Sequence, residues 1–188
     1  MEPFHETCNQ DVSNDFVINS YVPILFTNSV LKSFFKRGRG RVLNVGSLSS
    51  LLACPFASTY VSAKTALLAF HKNLQMEFEM MRASPNIQIH LSVPGVVDTP
   101  GAKSPVRRFG VASTEQITSN DLDFFGSSTH LTPFWEHRVY QLAGLVELLP
   151  YKWLASLYRE GIESENPIPL VIKHEKFDFR LKKNKDEL

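Results

Sequence analysis

The sequence predicts an α/β fold built around a parallel sheet. Two short runs rich in apolar and β-branched residues, RVLNVGS at 41–47 and IQIHLSVPG at 87–95, are typical of buried strands. Each run follows a longer segment whose apolar residues recur at helical spacing. Because parallel neighbours need a crossover connection, usually a helix, the order helix, strand, helix, strand favours a parallel sheet.

The first helix is predicted over about residues 13–36, with Ser13 as its N-cap and a kink at Pro23. It ends at the sequence KRGRG, residues 36–40, where two glycines interrupt the helical pattern. A broad apolar stripe on this helix is formed by residues that recur at helical spacing: Ile18, Val22, Leu25, Phe26 and Val30.

The second helix is predicted over about residues 58–81, after a loop at 48–58, and it ends before the sequence SPN. The second strand then leads into a Pro-Gly turn at Pro94. After the sequence DTPGAKSP, residues 98–105, the chain is loop-like to about Gly110.

Two helical segments and a tail are predicted in the remainder of the chain. A short helix covers STEQITSNDLDFF, residues 113–125, with Ser113 or Thr114 as its N-cap. A longer helical segment covers about residues 133–158 and breaks near Pro150. The charged, proline-marked segment that follows is expected to be a poorly ordered tail.

Composition and charge exclude some classes of function. A chain of 188 residues that is 43% hydrophobic suits one domain with a sizeable core. The net charge is +1 and no basic stripe occurs, so we expect no nucleic-acid partner. Cys8 and Cys54 lack the spacing of metal ligands and are too few for a disulfide framework, so both are expected to be thiols and no metal site is predicted.

The chain ends in Lys-Asp-Glu-Leu, residues 185–188, which is the retrieval signal of the endoplasmic reticulum. We expect an association with that organelle, although a polar tail that ends this way by accident remains the alternative. The N-terminus has no apolar run after a basic start, so no signal peptide is expected.

No apolar stretch of about 18 residues occurs, so no membrane-spanning helix is expected either. The apolar segment at 139–158 is interrupted by Glu147 and Lys152. It would lie at a membrane interface, with Tyr151 and Trp153 at headgroup depth, or cover a core or a partner surface.

A set of polar residues predicts acid–base chemistry. Tyr60 and Lys64 are four residues apart on one helix and share a face, and Ser47 ends the first strand thirteen residues before Tyr60. Ligands of open α/β sheets bind at the carboxyl ends of the strands, where Ser47 lies. In carbonyl reduction, the alkoxide that hydride transfer produces must collect a proton. A phenol with a pKa near 10 is a sluggish donor, and a neighbouring ammonium is expected to lower that pKa.

Two further features complete the set. Asn19, on the first helix, is placed to hold a water in a proton relay. The Pro94-Gly95 turn lets the backbone approach a bound ligand closely, just beyond the second strand.

The pieces INS, RVLNVGS, YVSAK and PGVVDT, in this order between about Asp11 and Thr99, resemble the C-terminal part of the short-chain dehydrogenase/reductase family. The resemblance implies carbonyl or alcohol oxidoreduction with a nicotinamide cofactor. It places Asn19, Ser47, Tyr60 and Lys64 on the catalytic tetrad of the family. The residues that it implies for cofactor binding are Lys64, Tyr60, Pro94, Gly95, Val97 and Thr99.

A second resemblance concerns residues 117–126 and 132–154. They are similar to the tail of the subgroup that contains 17β-hydroxysteroid dehydrogenases of types 3 and 12 and very-long-chain 3-oxoacyl-CoA reductases. This implies a lipid-like ketone, either a 3-oxoacyl-CoA or a 17-ketosteroid, and NADP(H), with NAD(H) as an open alternative. His137 is expected to start a helix or to lie at an interface, or else by the substrate channel.

The resemblance also implies an incomplete Rossmann-like doubly wound parallel sheet. The N-terminal βαβ units that carry the family's glycine-rich nucleotide-binding turn have no counterpart here, and no Gly-x-x-x-Gly-x-Gly occurs. We therefore expect residues 1–110 to be the part with the catalytic residues, residues 111–160 a helical extension on the substrate or membrane side, and residues 161–188 the tail.

Two alternatives stay open. The first strand is expected to lack one neighbour, so a catalytically inactive chain that dimerises with a full-length relative is the rival hypothesis. Its contacts, or those of a homodimer, would use the helices near 13–36 and 58–81, which form the usual dimer interface of the family. An unrelated α/β binding module with an accidental tetrad is the third hypothesis. His71 and His90 are expected to be ordinary packed or surface residues.

Overall fold

A computed structural model describes residues 3–99, 111–124 and 130–131, together with residues 151, 153, 155 and 156, which are helical. The predicted helix at 133–158 and the tail therefore lie almost entirely outside the described residues, as does His137. Single 3-10 turns occupy Phe4–Glu6 and Leu48–Leu51. The other elements, in chain order, are α1 Asn9–Phe16, a π-helical segment Val17–Tyr21, α2 Val22–Arg37, β1 Gly40–Val45, α3 Ser58–Met81, β2 Ile87–Ser92, β3 Val96–Asp98, β4 Val111–Ser113, α4 Thr114–Phe124 and β5 His130–Leu131.

The main sheet has the strand order β1-β2-β5 and is parallel throughout, which confirms the predicted α/β class. β1 and β2 pair over their whole length, with Val42 opposite Ile89 and Val45 opposite Ser92. Within the part of the chain that the structure describes, β1 has a partner on one side alone. The sheet is thus a partial Rossmann-like sheet whose edge is β1.

The hydrophobic core lies between this sheet and the helices α2 and α3. Alternate residues of β2 point to this face, since side chains alternate across a strand, and Ile89 and Leu91 are almost completely buried. One core cluster packs α2 and the end of α3 on the sheet, and a second packs the beginning of α3. The first contains Leu31, Phe34, Val42, Phe78, Ile87 and Ile89; the second contains Leu48, Leu52, Leu67, Leu68, Leu91 and Val93.

The start of the first helix differs from the prediction. α1 begins at Asn9 after Cys8, and Ser13 is not its N-cap. The Ser13 hydroxyl instead donates to the Asn9 carbonyl oxygen one turn earlier, at 2.9 Å. The first turn of α1 is polar, and the negative charge of Asp11 in this turn stabilises the helix N-terminus through its interaction with the helix dipole. These polar residues do not contribute to the apolar stripe. The apolar periodicity therefore begins later than the helix does.

The predicted irregularity at Pro23 takes a specific form. Residues Val17–Tyr21 are π-helical, and the Val22 amide donates to the Val17 carbonyl, five residues back. Proline has no N–H, so Pro23 cannot bond the Asn19 carbonyl in the ordinary α-helical pattern. The wider turn just before Pro23 fits this missing donor, and α1 and α2 follow each other without a break in helical structure.

The other elements agree in type with the sequence and differ at their ends. The second helix, Ser58–Met81, is confirmed in its predicted bounds. The two strands stop at Val45 and Ser92, before the predicted glycine-containing ends. The predicted loop at 48–58 begins with a 3-10 turn. The sequence predicted neither β3, which follows the Pro-Gly turn, nor β4, which follows the predicted loop that ends near Gly110. Strands of three residues are too short to show an alternating pattern.

Ser113 is confirmed as the residue that caps α4. Its hydroxyl accepts from the Gln116 amide at 3.2 Å, and the Gln116 side chain accepts from the Ser113 amide at 2.8 Å. This reciprocal pair is a capping box. β4 also pairs in parallel with β3, so residues 111–124 pack on the first part of the chain, and the proposed division at residue 110 stays a prediction.

One buried polar pair joins α2 to β1. The Asn44 amide donates to Thr27 Oγ1 at 3.1 Å, and Thr27 also donates to the Pro23 carbonyl at 2.8 Å. Both side chains are buried. Loss of one partner would leave the other without a hydrogen bond inside the core, which costs more than the bond itself contributes.

We expect Thr27→Val to lower the free energy of unfolding by about 1–3 kcal/mol, because the Asn44 amide would lose its acceptor. Urea unfolding followed by circular dichroism measures this change. Ser29→Ala is the matched control, since Ser29 is an exposed hydroxyl on the same helix that donates to the Leu25 carbonyl; its effect should stay within about 0.5 kcal/mol. Equal effects of the two substitutions would contradict a role for burial.

Candidate active site

Ser47 follows β1 at the carboxyl end of the sheet, and its hydroxyl is held by its neighbours. The Ser49 hydroxyl donates to Ser47 Oγ at 2.9 Å, and the Ser49 amide donates to the same oxygen at 3.3 Å. The Ser50 hydroxyl donates to the Ser47 carbonyl at 2.6 Å. A serine oxygen accepts two hydrogen bonds, so the O–H of Ser47 remains available as a donor to another group.

The ends of β1 and β2 lie side by side at this edge. The Gly46 amide donates to the Ser92 carbonyl at 2.7 Å, and the Leu48 amide donates to the Pro94 carbonyl at 2.8 Å. A Cβ atom on Gly46 would lie 3.2 Å from the Ser92 carbonyl oxygen, so glycine permits this close approach. The serine loop and the Pro-Gly turn are therefore joined directly through their backbones.

Tyr60 and Lys64 lie on the first two turns of α3 and face the Ser47 loop. The Ser47 side chain is a hydrogen-bond partner of the Tyr60 phenol. Lys64 Nζ donates to the Val45 carbonyl at 2.9 Å and lies 5.8 Å from the centre of the Tyr60 ring. The structure thus brings together three of the four residues that the sequence predicted as catalytic.

The pKa of the Tyr60 phenol differs from the prediction. Burial raises the pKa of the Tyr60 phenol, and the negative charges of Cys54 and Asp15 raise it further, whereas the hydrogen bond with Ser47 lowers it. Burial also lowers the pKa of Lys64. The predicted lowering of the Tyr60 pKa by the ammonium is therefore wrong for this structure, because removal from water dominates and Lys64 is directed to the Val45 carbonyl.

Asn19 is half-buried in the π-helical segment, which packs against α3. In the described part of the chain it makes no direct hydrogen bond with Ser47, Tyr60 or Lys64. A proton relay through Asn19, as the sequence suggested, would therefore need a bridging water.

The four residues predicted on the cofactor loop continue from the end of β2. Pro94 and Gly95 form the turn, Val97 belongs to the short strand β3, and Thr99 follows that strand. All four are partly exposed. Since the Leu48 amide bonds the Pro94 carbonyl, this loop begins beside the serine loop that contains Ser47.

A cavity of about 380 Å³ lies beside Tyr60. α1 and the segment before it contribute Phe4, Thr7, Asp11 and Asp15, and the end of the loop before α3 together with the first turn of α3 contributes residues 56–60. The Thr59 hydroxyl donates to the Asp15 carboxylate, so α1 is joined directly to the first turn of α3. Sequence reasoning missed Asp15, although its position four residues before Asn19 on the same helix was a usable signal.

The histidines that the sequence treated as ordinary are both buried. His71 lies on α3 and His90 on β2. On the same strand, Ser92 lies beside Asp121 of α4, and burial raises the pKa of the Asp121 carboxyl while Ser92 lowers it. No group of three or more His, Cys, Asp or Glu side chains among the described residues is arranged to hold a metal ion.

Membrane contact was predicted for residues 139–158, nearly all of which lie outside the described residues. Tyr151 and Trp153, which the structure does describe, are exposed. Within residues 3–99 and 111–124, no helix combines the length and the apolar character that crossing a bilayer requires.

Comparison with known proteins identifies the family of this chain and solved structures with the same fold. The model of the short chain dehydrogenase family matches residues 1–108. The chain is 23% identical over 155 residues to the very-long-chain 3-oxoacyl-CoA reductase of Vanderwaltozyma polyspora, which covers 75% of this chain and 44% of the relative. It is 37% identical over 82 residues to dehydrogenase/reductase SDR family member 4 of Homo sapiens, which covers 44% of this chain and 28% of the relative.

Solved structures show the same fold. A 4-hydroxyisoleucine dehydrogenase complexed with NADH superposes with a TM-score of 0.54 at 24% identity, over 65% of this chain and 54% of that one. The acetoin dehydrogenase from Enterobacter cloacae gives a TM-score of 0.56 at 22% identity, over 68% and 54%. The chain spans less than half the length of the curated relatives it matches and about half that of these structures.

The hydrogen bond between Ser47 and Tyr60 should be visible in the titration of the tyrosine. We expect Ser47→Ala to raise the Tyr60 pKa further, because the phenolate would lose a donor. The measurement is tyrosinate absorbance against pH, with the curve of Tyr60→Phe in the same background subtracted. Ser62→Ala, an exposed serine on α3, is the control and should leave the titration unchanged. A Tyr60 pKa that stays or falls in Ser47→Ala would contradict the assignment.

Proposed function

The chain belongs to the short-chain dehydrogenase family, and we propose that it transfers hydride between a nicotinamide cofactor and a ketone or secondary alcohol, with Tyr60 as the proton donor and acceptor. The observation that carries this proposal is the meeting of Ser47, Tyr60 and Lys64 at the carboxyl edge of a parallel sheet. A hydroxyl, a phenol and an ammonium group in this arrangement can bind a carbonyl oxygen and supply its proton while the carbonyl carbon accepts a hydride.

The proposed roles follow from the hydrogen bonds of each side chain. The Ser47 oxygen already accepts two bonds from Ser49, so Ser47 can act only as a donor, and we propose that its proton turns from the Tyr60 phenol to the substrate oxygen when a ketone binds. Tyr60 then gives its phenolic proton to the same oxygen as negative charge develops there. Because the Tyr60 pKa is raised, the phenol is protonated at neutral pH and ready to act as the donor in the reductive direction.

The residues of this chain fit the nicotinamide end of such a cofactor. An ammonium has three donors, and Lys64 uses one of them on the Val45 carbonyl, which leaves two for hydroxyl groups of a ligand. We propose that Lys64 and Tyr60 hold the ribose side, and that Pro94, Gly95, Val97 and Thr99 border the ring. The cofactor supplies the hydride when bound.

For the substrate and cofactor type we propose a lipid-like ketone, a 3-oxoacyl-CoA or a 17-ketosteroid, and NADP(H). The support is the match to very-long-chain 3-oxoacyl-CoA reductases, which covers three quarters of this chain. NAD(H) is the alternative, supported by a structural neighbour complexed with NADH. An association with the endoplasmic reticulum is proposed from residues 185–188.

Titration of the purified full-length chain with NADPH and with NADH, followed by fluorescence, tests the proposal directly. We expect saturable binding, and reduction of a 17-ketosteroid or a 3-oxoacyl-CoA that Tyr60→Phe slows at least about 100-fold, because the proton donor is removed. Tyr21→Phe is the matched control, since Tyr21 is exposed on the first helix, and it should keep the rate. If neither NADPH nor NADH bound saturably, the proposal that the chain is a reductase would be refuted.

A second function, docking on a relative of the same family, is favoured by one observation. The helical segment from α1 to α2 exposes an unusual number of large apolar side chains, which normally marks an interaction surface. We call this the α1–α2 face, and it consists of Phe16, Val17, Ile18, Val22, Leu25 and Phe26. We propose that this face and α3 contact the same helices of a second chain, either a copy of this one or a full-length relative.

The docking proposal predicts that the tagged chain co-purifies with a full-length relative of the same family when both are co-expressed. We expect Phe26→Asp to abolish this, because a charge would be buried in an apolar interface. Leu122→Asp is the control, since Leu122 is equally exposed on α4, outside the α1–α2 face. If Phe26→Asp co-purified as well as Leu122→Asp, the face would have no role in docking.

A further inference from the structure

We propose that Asp15, with Asp11 beside it, makes the cavity next to Tyr60 selective for ketones that carry no negative charge near the reacting carbonyl. This inference rests on the proposed function, because it assigns the cavity to the substrate that Tyr60 protonates. It narrows the substrate class by the charge that the substrate carries near its carbonyl.

The cavity is joined to the chemistry by position. Tyr60 is one of its lining residues, and so is Thr59, which donates a hydrogen bond to the Asp15 carboxylate. The negative charge of Asp15 is close enough to Tyr60 to raise the pKa of the phenol. A substrate whose oxygen reaches Tyr60 from this cavity must therefore pass beside the Asp15 carboxylate.

The charge of the lining has one sign. Asp11 lies one helical turn before Asp15, so both carboxylates face the same side of α1. None of the described lining residues is a lysine, an arginine or a histidine. The nearest cation on α3, Lys64, is engaged with the Val45 carbonyl and is not part of the lining.

The remaining lining suits the apolar body of a ketone. Phe4 and Phe56 contribute aromatic rings, and Ala57 adds a small apolar side chain. Asp15 is half-buried, which weakens the screening of its charge by water. A carboxylate on the substrate would meet this charge at close range, whereas an uncharged ketone would lose nothing and an ammonium group would be attracted by the carboxylates and the rings.

The test uses three ketones of one size that differ in charge: para-acetylbenzamide, para-acetylbenzoate and para-acetylbenzylamine. Binding of each to the full chain is measured by saturation-transfer NMR, and reduction with NADPH is measured separately. We expect the amide to bind about tenfold more tightly than the benzoate, and the amine at least as well as the amide. The preference should shrink as salt is added, because it is electrostatic.

Asp15→Asn should bring the ratio of amide to benzoate affinity close to one, while the asparagine oxygen can still accept the bond from Thr59. Asp11→Asn should have a smaller effect, because Asp11 is exposed at the rim. Glu79→Gln makes the same change in net charge at the far end of α3, twenty residues from Thr59 and about 30 Å along the helix, and should leave the ratio unchanged.

The outcomes separate this inference from the proposed function. Charge-selective binding by a chain that shows no saturable binding of NADPH or NADH would support the charge selectivity of the cavity and refute the oxidoreductase. Reduction with equal use of the amide and the benzoate would leave the oxidoreductase standing and overturn the inference. Binding of none of the three ketones, or a ratio that Glu79→Gln changes as much as Asp15→Asn does, would also overturn it.

Discussion

The parallel register of β1 and β2 is the constraint on which the candidate site depends. Because Val45 lies opposite Ser92, the two strands end together, and Ser47 and Pro94 emerge at the same edge. The Gly46 and Leu48 amides then bond the Ser92 and Pro94 carbonyls, which continues the pairing beyond the last residues of the strands. A register shift of one residue would turn every side chain of β1 to the other face and move Ser47 away from the Pro-Gly turn.

The position of α3 on this sheet determines where Tyr60 and Lys64 can act. Ala63 and Leu67 are completely buried, so they fix the face of α3 that contacts the core. Tyr60 and Lys64 flank this buried face, and the bond from Lys64 Nζ to the Val45 carbonyl links the helix to the end of β1. The core residues and the site residues therefore lie on the same turns of α3. A change that shifts the packing of this helix would also displace Tyr60 and Lys64.

The sequence predicted the parts of the structure that depend on local pattern. The spacing of Tyr60 and Lys64, the bounds of α3 and the serine after β1 all follow from helical and strand periodicity. Pro23 predicted an irregularity in the helix but not its π-helical form. That form depends on how the surrounding backbone rearranges its hydrogen bonds around the N–H that proline lacks. The raised Tyr60 pKa and the contact between Asp15 and Thr59 depend on burial and on residues far apart in the chain, which no local pattern reports.

Groups with opposite effects surround the Tyr60 phenol, and those that raise its pKa prevail. A protonated Lys64 would stabilise the phenolate, but its ammonium is bound to a backbone carbonyl and is itself disfavoured by burial. Burial, Asp15 and Cys54 all stabilise the neutral phenol, and the Ser47 hydrogen bond alone opposes them. In the protein alone these groups therefore keep the Tyr60 phenol protonated at neutral pH. If Tyr60 acts as we propose, the protonated phenol suits reduction, and oxidation of an alcohol, which requires the phenolate, would need a pH close to the raised pKa.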